Sequence, residues 1–260
     1  APWRRIVREF AKSWTAMFGL LLLVLIVLIA IFAPLLSPQN PYDLASLSIM
    51  DNRLPPGETG WGGMTYVLGT DGQGRDMLSA IMYGLRISLG VGVVSCTIAL
   101  FIGLAAGLAA AYFGGRVDTI IMRIVDLHLS FPAILIALIL LAVLGRGVDK
   151  IIIALIVVQW ATFARTVRGA ALAERRKEYI EAAQCLGLPQ WKIVFGHLLP
   201  NCLPPMMVIF TVEIASAIAL EATLSFLGVG LPITQPSLGL LISNGFPFIL
   251  SGQYWLSVYP

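Results

Sequence analysis

Charge is scarce in this sequence: Asp, Glu, Lys and Arg make up 12% of its 260 residues. A soluble domain carries roughly twice that share, so the chain has too few charges to cover a water-facing surface. A mean hydropathy of +0.88 points to a bilayer as the missing solvent. The net charge of only +3 excludes a broad basic face for nucleic acid. No Gly-rich loop ends in Gly-Lys-Ser/Thr, so the chain binds no ATP by that route. No nucleophile–base set and no paired catalytic carboxylates occur in the polar stretches, which argues against an enzyme. The two histidines, His128 and His197, are isolated and read as local hydrogen-bonding residues rather than metal ligands. The three cysteines, Cys96, Cys185 and Cys202, fit no metal spacing and are read as structural fillers.

What the sequence has in abundance is long apolar runs. Ala16 to Leu36 is uncharged and as a helix rises about 31 Å, enough to cross a hydrocarbon core of about 30 Å. Residues 1–15 place Arg4, Arg5, Arg8 and Lys12 beside Trp3, Ile6, Val7, Phe10 and Trp14, the pattern of an interfacial amphipathic lead-in. The run that follows is too long for a cleaved signal peptide and is expected to stay as the first span. Residues 37–86 are Pro- and Gly-rich and read as a loop. Ile87 to Phe113 is a second span without charge, with Gly103 and Gly107 spaced for close helix contact. A third span is expected from near Asp118 to Leu144, bent or loosened by Pro132. Ile151 to Ala164 makes a short fourth span, residues 165–205 a large charged loop, and Met206 to Gly228 a fifth span. Gly230 to Gln253 reads as a loop, and Tyr254-Trp255 as the aromatic entry to a sixth span. Residues are expected to be missing before Ala1, and the sixth span to be cut short after Pro260.

Of the 17 Lys and Arg residues, only Arg53, Arg75, Arg86, Arg146 and Lys150 fall on one side of the membrane in this arrangement. The excess on the other side makes the N-terminus and the 165–205 loop cytoplasmic and puts 37–86 outside.

The 165–205 loop is the most telling segment, because a charged stretch between spans cannot lie in lipid. Glu174 to Leu186 consists of good helix formers, with Lys177 and Glu181 spaced to pair on one face. Gly187 sits where a left-handed helix end is wanted, and Pro189 suits the first turn of a second helix. That helix carries Trp191, Ile193, Val194 and Phe195 and is expected to end before Pro200. Ala182 and Ala183 keep the first helix slim, so another surface can approach its backbone. Glu181 offers a carboxylate to a basic partner. An amphipathic loop lying on the lipid surface is the alternative reading of the residues alone.

The segment resembles the coupling loop of bacterial ABC-importer permeases: Glu-Ala-Ala, three residues, Gly, nine residues, Ile, any residue, Leu-Pro. Glu181, Ala182, Ala183, Gly187, Leu199 and Pro200 match it, and His197 stands at the Ile position. Leu68-Gly69-Thr70-Asp71, Gly74-Arg75-Asp76, Tyr83-Gly84, Tyr112 to Gly115 and Glu221 to Gly228 are similar to the peptide/nickel branch of those permeases, and to its second, C-type permease subunit. The resemblance implies an all-α, polytopic transmembrane helix bundle of the type I ABC-importer permease fold, with residues 87–260 as its core. It implies a multi-pass protein of the bacterial inner membrane. Its partners would be a homologous second permease subunit, two ABC ATPase subunits that bind ATP and Mg, and an extracytoplasmic substrate-binding protein, with membrane lipid around it and no nucleic acid. Cargo would be a di- or oligopeptide, with nickel or another small solute as the alternative, and no cofactor belongs to this chain. The matching motif residues would form the ATPase-coupling site.

Glu213 and Glu221 lie within the fifth span, about 80° apart around a helix, and each must face protein or water. One or both are candidates for the translocation path, with Glu213 meeting a peptide's ammonium group and Glu221 more simply a buried structural carboxylate. An ion-coupled secondary transporter using both, or a membrane anchor without transport, is the competing class. Asp71, Arg75 and Asp76 read as a charge-paired outer turn available to a binding protein.

Overall fold

The computed structural model describes residue 8, residues 10–43 and residues 47–260. Most of the amphipathic lead-in, from residue 1 to residue 7 and residue 9, therefore lies outside the described residues. The chain divides into two compact units, one of residues 1–89 with 233–260 and the other of Gly90–Pro232. Among the described residues four helices are long and apolar enough to cross a membrane, or five if one bent pair counts as a single span.

Helix α1 covers Trp14–Leu36. Ser13 starts it by accepting a hydrogen bond from the Ala16 N–H at 3.4 Å. Its leucines and isoleucines are largely exposed, with only Ala30 and Ala33 buried, as suits a helix bathed in lipid. Helix α2 runs from Met77 to Phe113, so it starts well before Ile87 and residues 77–86 are not loop. Asp76 explains the early start: its Oδ2 accepts from the Ser79 N–H at 2.8 Å and from the Ser79 hydroxyl at 2.6 Å, capping the first turn. Arg86 lies further along the same helix, where its charge does not oppose helix formation.

The third expected span is two helices. Helix α3, Gly115–Leu129, and helix α4, Ala133–Leu144, meet at 86° across Ser130-Phe131-Pro132. The break falls there because Pro132 forces residue 131 out of helical backbone and supplies no N–H. Helix α5 extends from Val148 to Arg175, well past the expected end at Ala164. Two ion pairs account for the extension. Arg168 holds Asp118 of α3 through Nε–Oδ1 at 2.5 Å and Nη2–Oδ2 at 2.6 Å. Arg165 Nη2 meets Asp126 Oδ1 at 2.6 Å. The charges that suggested a loop instead tie two helices side by side.

Helix α2 packs against α5 through its two spaced glycines. A Cβ on Gly103 would collide with the Cβ of Phe163 and stand 2.7 Å from the Trp160 carbonyl oxygen. On Gly107 it would stand 2.5 Å from the Ala164 carbonyl oxygen. Around this contact Cys96, Leu108, Phe163, Val167, Cys202 and Met206 form the core of the second unit.

Helix α6, Glu178–Cys185, is short. Helix α7 then runs unbroken from Gln190 to Phe226, so the second helix of the charged segment does not end before Pro200. The chain avoids a break by opening a π-helical turn over Ile193–Leu198, where the Leu199 N–H donates to Val194 O five residues back. That wider turn precedes the ring of Pro200, which in α-helical register would press on the carbonyl four residues earlier. In the first unit, the expected 230–253 loop contains helix α8, Leu238–Gly245, whose start is capped by Ser237 accepting from the Leu240 N–H at 3.3 Å. Leu240 and Leu241 bury themselves there, which outweighs the flanking Pro and Gly. Helix α9, Trp255–Val258, stands where the sixth span was expected to begin.

Candidate functional site

The segment between α5 and α7 forms a compact helical knuckle. Gly187, at φ +69°, takes the left-handed conformation that ends α6. Its N–H donates to Gln184 O at 2.9 Å, and the Leu188 N–H donates to Ala183 O at 3.2 Å, so the last carbonyls of the helix are satisfied by the turn itself. Leu188 then folds onto a small core of Ile180, Ala183 and Ile193. Helix α6 and the start of α7 are thereby fixed at one angle by a few apolar side chains and two backbone bonds.

The knuckle's root is equally constrained. Glu174, near the end of α5, accepts from Lys177 Nζ at 2.6 Å and from the Tyr179 hydroxyl at 2.6 Å. Desolvation and the bonded Glu174 carboxylate push the Tyr179 phenol up to about 12, so it remains a donor throughout the physiological range. The expected pairing of Lys177 with Glu181 is absent. Lys177 sits ahead of the first turn of α6 in extended backbone, which turns it toward Glu174 instead.

Of the six coupling residues named from sequence, the structure exposes Glu181, Ala182, Gly187 and Pro200, buries Ala183 and half-buries Leu199. Ala183 is 5% exposed, so it packs the knuckle's interior and offers nothing to an approaching surface; the slim outer face belongs to Ala182 alone. Leu199 packs on the core of the second unit. Leu186, 79% exposed, is an apolar tip residue absent from the sequence reading. Cys185 is exposed at the last turn of α6, so it is not a structural filler, unlike the buried Cys96 and Cys202.

The two membrane carboxylates have different surroundings. Glu221 is fully buried, and Ser225 Oγ donates to its Oε1 at 2.8 Å. Glu213 is half-buried and lines a cavity of about 310 Å³ together with His128, Gln159, Thr162 and Ser216. Glu221 is not among that cavity's lining residues. Gln159 Nε2 donates to Glu213 O at 2.8 Å and to Glu213 Oε2 at 3.3 Å. Gln159 Oε1 and His128 Nε2 are buried there without a hydrogen-bond partner among the described residues. Sequence reasoning missed Gln159; the signal was an amide inside an otherwise apolar run, which in lipid needs a polar partner.

The outer turn differs from expectation as well. Arg75 and Asp71 pair at 2.7 Å, but they are only 1% and 6% exposed. Arg75 also donates to Ile233 O at 3.2 Å. A pair so enclosed fastens the turn and presents no charge to a docking protein.

The sequence comparisons bear on what such a molecule belongs to. The family described as "Binding-protein-dependent transport system inner membrane component" matches residues 99–258. The "N-terminal TM domain of oligopeptide transport permease C" matches residues 1–56. The Bacillus subtilis dipeptide transport system permease protein DppC is 37% identical over 99% of this chain and 77% of its own length. The same organism's oligopeptide transport system permease protein OppC is 36% identical over 99% and 81%. The glutathione transport system permease protein GsiD of Pectobacterium atrosepticum is 36% identical over 94% and 78%. Among solved structures, an inward-facing form of the MetNI methionine ABC transporter aligns with a TM-score of 0.56 at 21% identity, covering 70% of this chain and 90% of that one. The last likeness concerns the fold.

Proposed function

Because the chain belongs to the inner-membrane components of binding-protein-dependent transport systems, we propose that it is the permease half of an ATP-driven peptide importer, worked through the 178–198 knuckle. The names of its relatives support peptides as cargo. The observation that carries the coupling reading is the knuckle itself: a prefixed two-helix element with an exposed carboxylate at Glu181, a small residue at Ala182 and an apolar tip at Leu186. A partner ATPase supplies a groove with a basic residue for Glu181, and ATP with its Mg is bound there. Closure of that partner pushes on α6. The push passes along α7, which has no break between knuckle and span, and into α5 through the Glu174 clamp. Ala183 serves from inside by holding the knuckle's shape, and Leu199 and the exposed Pro200 serve where the π-helical turn runs into the span.

In this reading the N-terminus and the knuckle face the cytoplasm, as the Lys and Arg distribution supports. A homologous permease chain completes the path, and an extracytoplasmic binding protein delivers cargo. Alternating access comes from tilting one half against the other. Glu213 serves the path: its cavity offers acceptors at Glu213 and Gln159 to a hydrogen-bond-donating cation, and a peptide's terminal ammonium is such a group. The ion-coupled reading with Glu213 and Glu221 as paired carriers is not favoured, since the two carboxylates do not share the cavity. Co-purification tests the proposal. An ATPase accompanies the wild-type chain and is lost from Glu181→Lys; an ATPase retained equally by both would overturn the coupling role.

A further inference from the structure

We propose that the cleft between α2 and α7 holds one acyl chain of an anionic phospholipid, with its headgroup at Arg175. The cleft, about 590 Å³, is lined by Phe101, Leu104 and Leu108 of α2 and by Trp191, Val194 and Phe195 of α7. From Phe101 to Phe113 α2 rises about 18 Å, close to the roughly 15 Å hydrocarbon depth of a single leaflet. At one end, Tyr112, Phe113 and Gln190 also border a second recess of about 400 Å³, which contains Arg175 and Gln184. An apolar channel one leaflet deep thus opens into a polar, cationic recess, and neither is lined by an acidic residue.

Arg175 is held in place by its backbone neighbours. Its Nη1 donates to Ala111 O at 2.8 Å and to Tyr112 O at 3.1 Å, the last carbonyls of α2. Those are neutral acceptors. Among the described residues Arg175 has no carboxylate partner, so its positive charge is uncompensated by protein and its remaining donors suit a phosphate. The Lys192 ammonium, a second cationic group, lies 5.6 Å from the Trp191 ring that walls the cleft. Tyr112 lines both recesses at their junction and Trp191 lines the cleft, and such amphipathic rings favour the membrane interface. An apolar helix from another chain would fill the cleft but leave the cationic recess unanswered. A phospholipid with a negative headgroup answers both.

The test uses the intact transporter in detergent, exchanged with phosphatidylglycerol or phosphatidylcholine and read by native mass spectrometry. The wild type retains phosphatidylglycerol over phosphatidylcholine by roughly five-fold, the scale of one basic side chain near an anionic surface. Arg175→Gln brings the ratio near unity. Arg175→Lys keeps the preference, which separates charge from the capping of α2. Ala109→Trp, which fills the cleft, reduces retention of both lipids. Equal retention by the wild type, or loss of the preference in Arg175→Lys as complete as in Arg175→Gln, would overturn the proposal. So would a photo-crosslinker at Phe195 that captures a polypeptide instead of lipid.

Discussion

The knuckle and the Glu213 cavity lie in one compact unit yet are built on opposite terms. In the knuckle the polar groups that fix its shape are satisfied internally: the end of α6 closes on its own backbone, Glu174 has two donors, and Ile180, Ala183, Leu188 and Ile193 close a small core. The cavity leaves a buried amide oxygen and a buried imidazole nitrogen without a partner among the described residues, beside a carboxylate. A buried polar atom without a partner costs on the order of 1–3 kcal/mol, and such a cost persists where something else supplies the bond. On the proposed reading, the part that would transmit force is closed and stiff, while the part that would meet changing cargo stays open to new hydrogen bonds.

Unlocking the knuckle breaks that contrast most severely. Gly187→Val forces a branched residue into left-handed backbone, a local cost of about 1–2 kcal/mol, enough to populate other knuckle angles. ATP-driven uptake in proteoliposomes falls by ten-fold or more while the amount of inserted protein is unchanged. Filling the helix contact is next: Gly103→Val overpacks α2 against α5, lowering stability by about 1–3 kcal/mol, read as a drop in melting temperature in detergent. On the cavity side, Glu213→Gln removes a charge-assisted bond worth about 1.5–3 kcal/mol. Uptake of a dipeptide with a free terminal ammonium falls about ten- to hundred-fold, that of its N-acetylated form much less, and ATPase co-purification stays intact. The smallest effect comes from Lys177→Gln. The Lys177–Glu174 pair is exposed on its lysine side, and such pairs contribute less than about 1 kcal/mol, so uptake and melting temperature stay within error while the Tyr179 bond remains.

The same contrast decides what could be read from the sequence. The knuckle was legible because its shape rests on local chemistry: a Gly that must be left-handed, a Pro that starts a turn and residues that favour helix lie consecutively. The apolar runs revealed the spans for the same reason. Boundaries were less legible wherever charge was taken as the end of a helix. Arg165 and Arg168 looked like loop and instead reach across to Asp126 and Asp118, residues distant in sequence. Pro200 looked like a stop, because the widened turn before it depends on the backbone of Ile193 to Leu198 and leaves no mark in composition. The cavity was only half visible. Glu213 stood out as a charge in an apolar run, but Gln159 and His128 come to it from other helices, and no local pattern announces that meeting. Ala183 carried the motif yet faces inward, since spacing gives membership of a helix and only the packed turn at Leu188 gives its orientation.

The central claim is that movement enters the bundle at the outer face of α6. It is tested most directly by blocking that face in the assembled transporter. In a Cys185→Ser background, Ala182→Cys is labelled with a bulky maleimide, and ATP-driven peptide uptake is compared before and after. The account predicts that uptake falls to background on labelling, while the unlabelled variant transports normally. Uptake that continues undiminished with the label in place would contradict it.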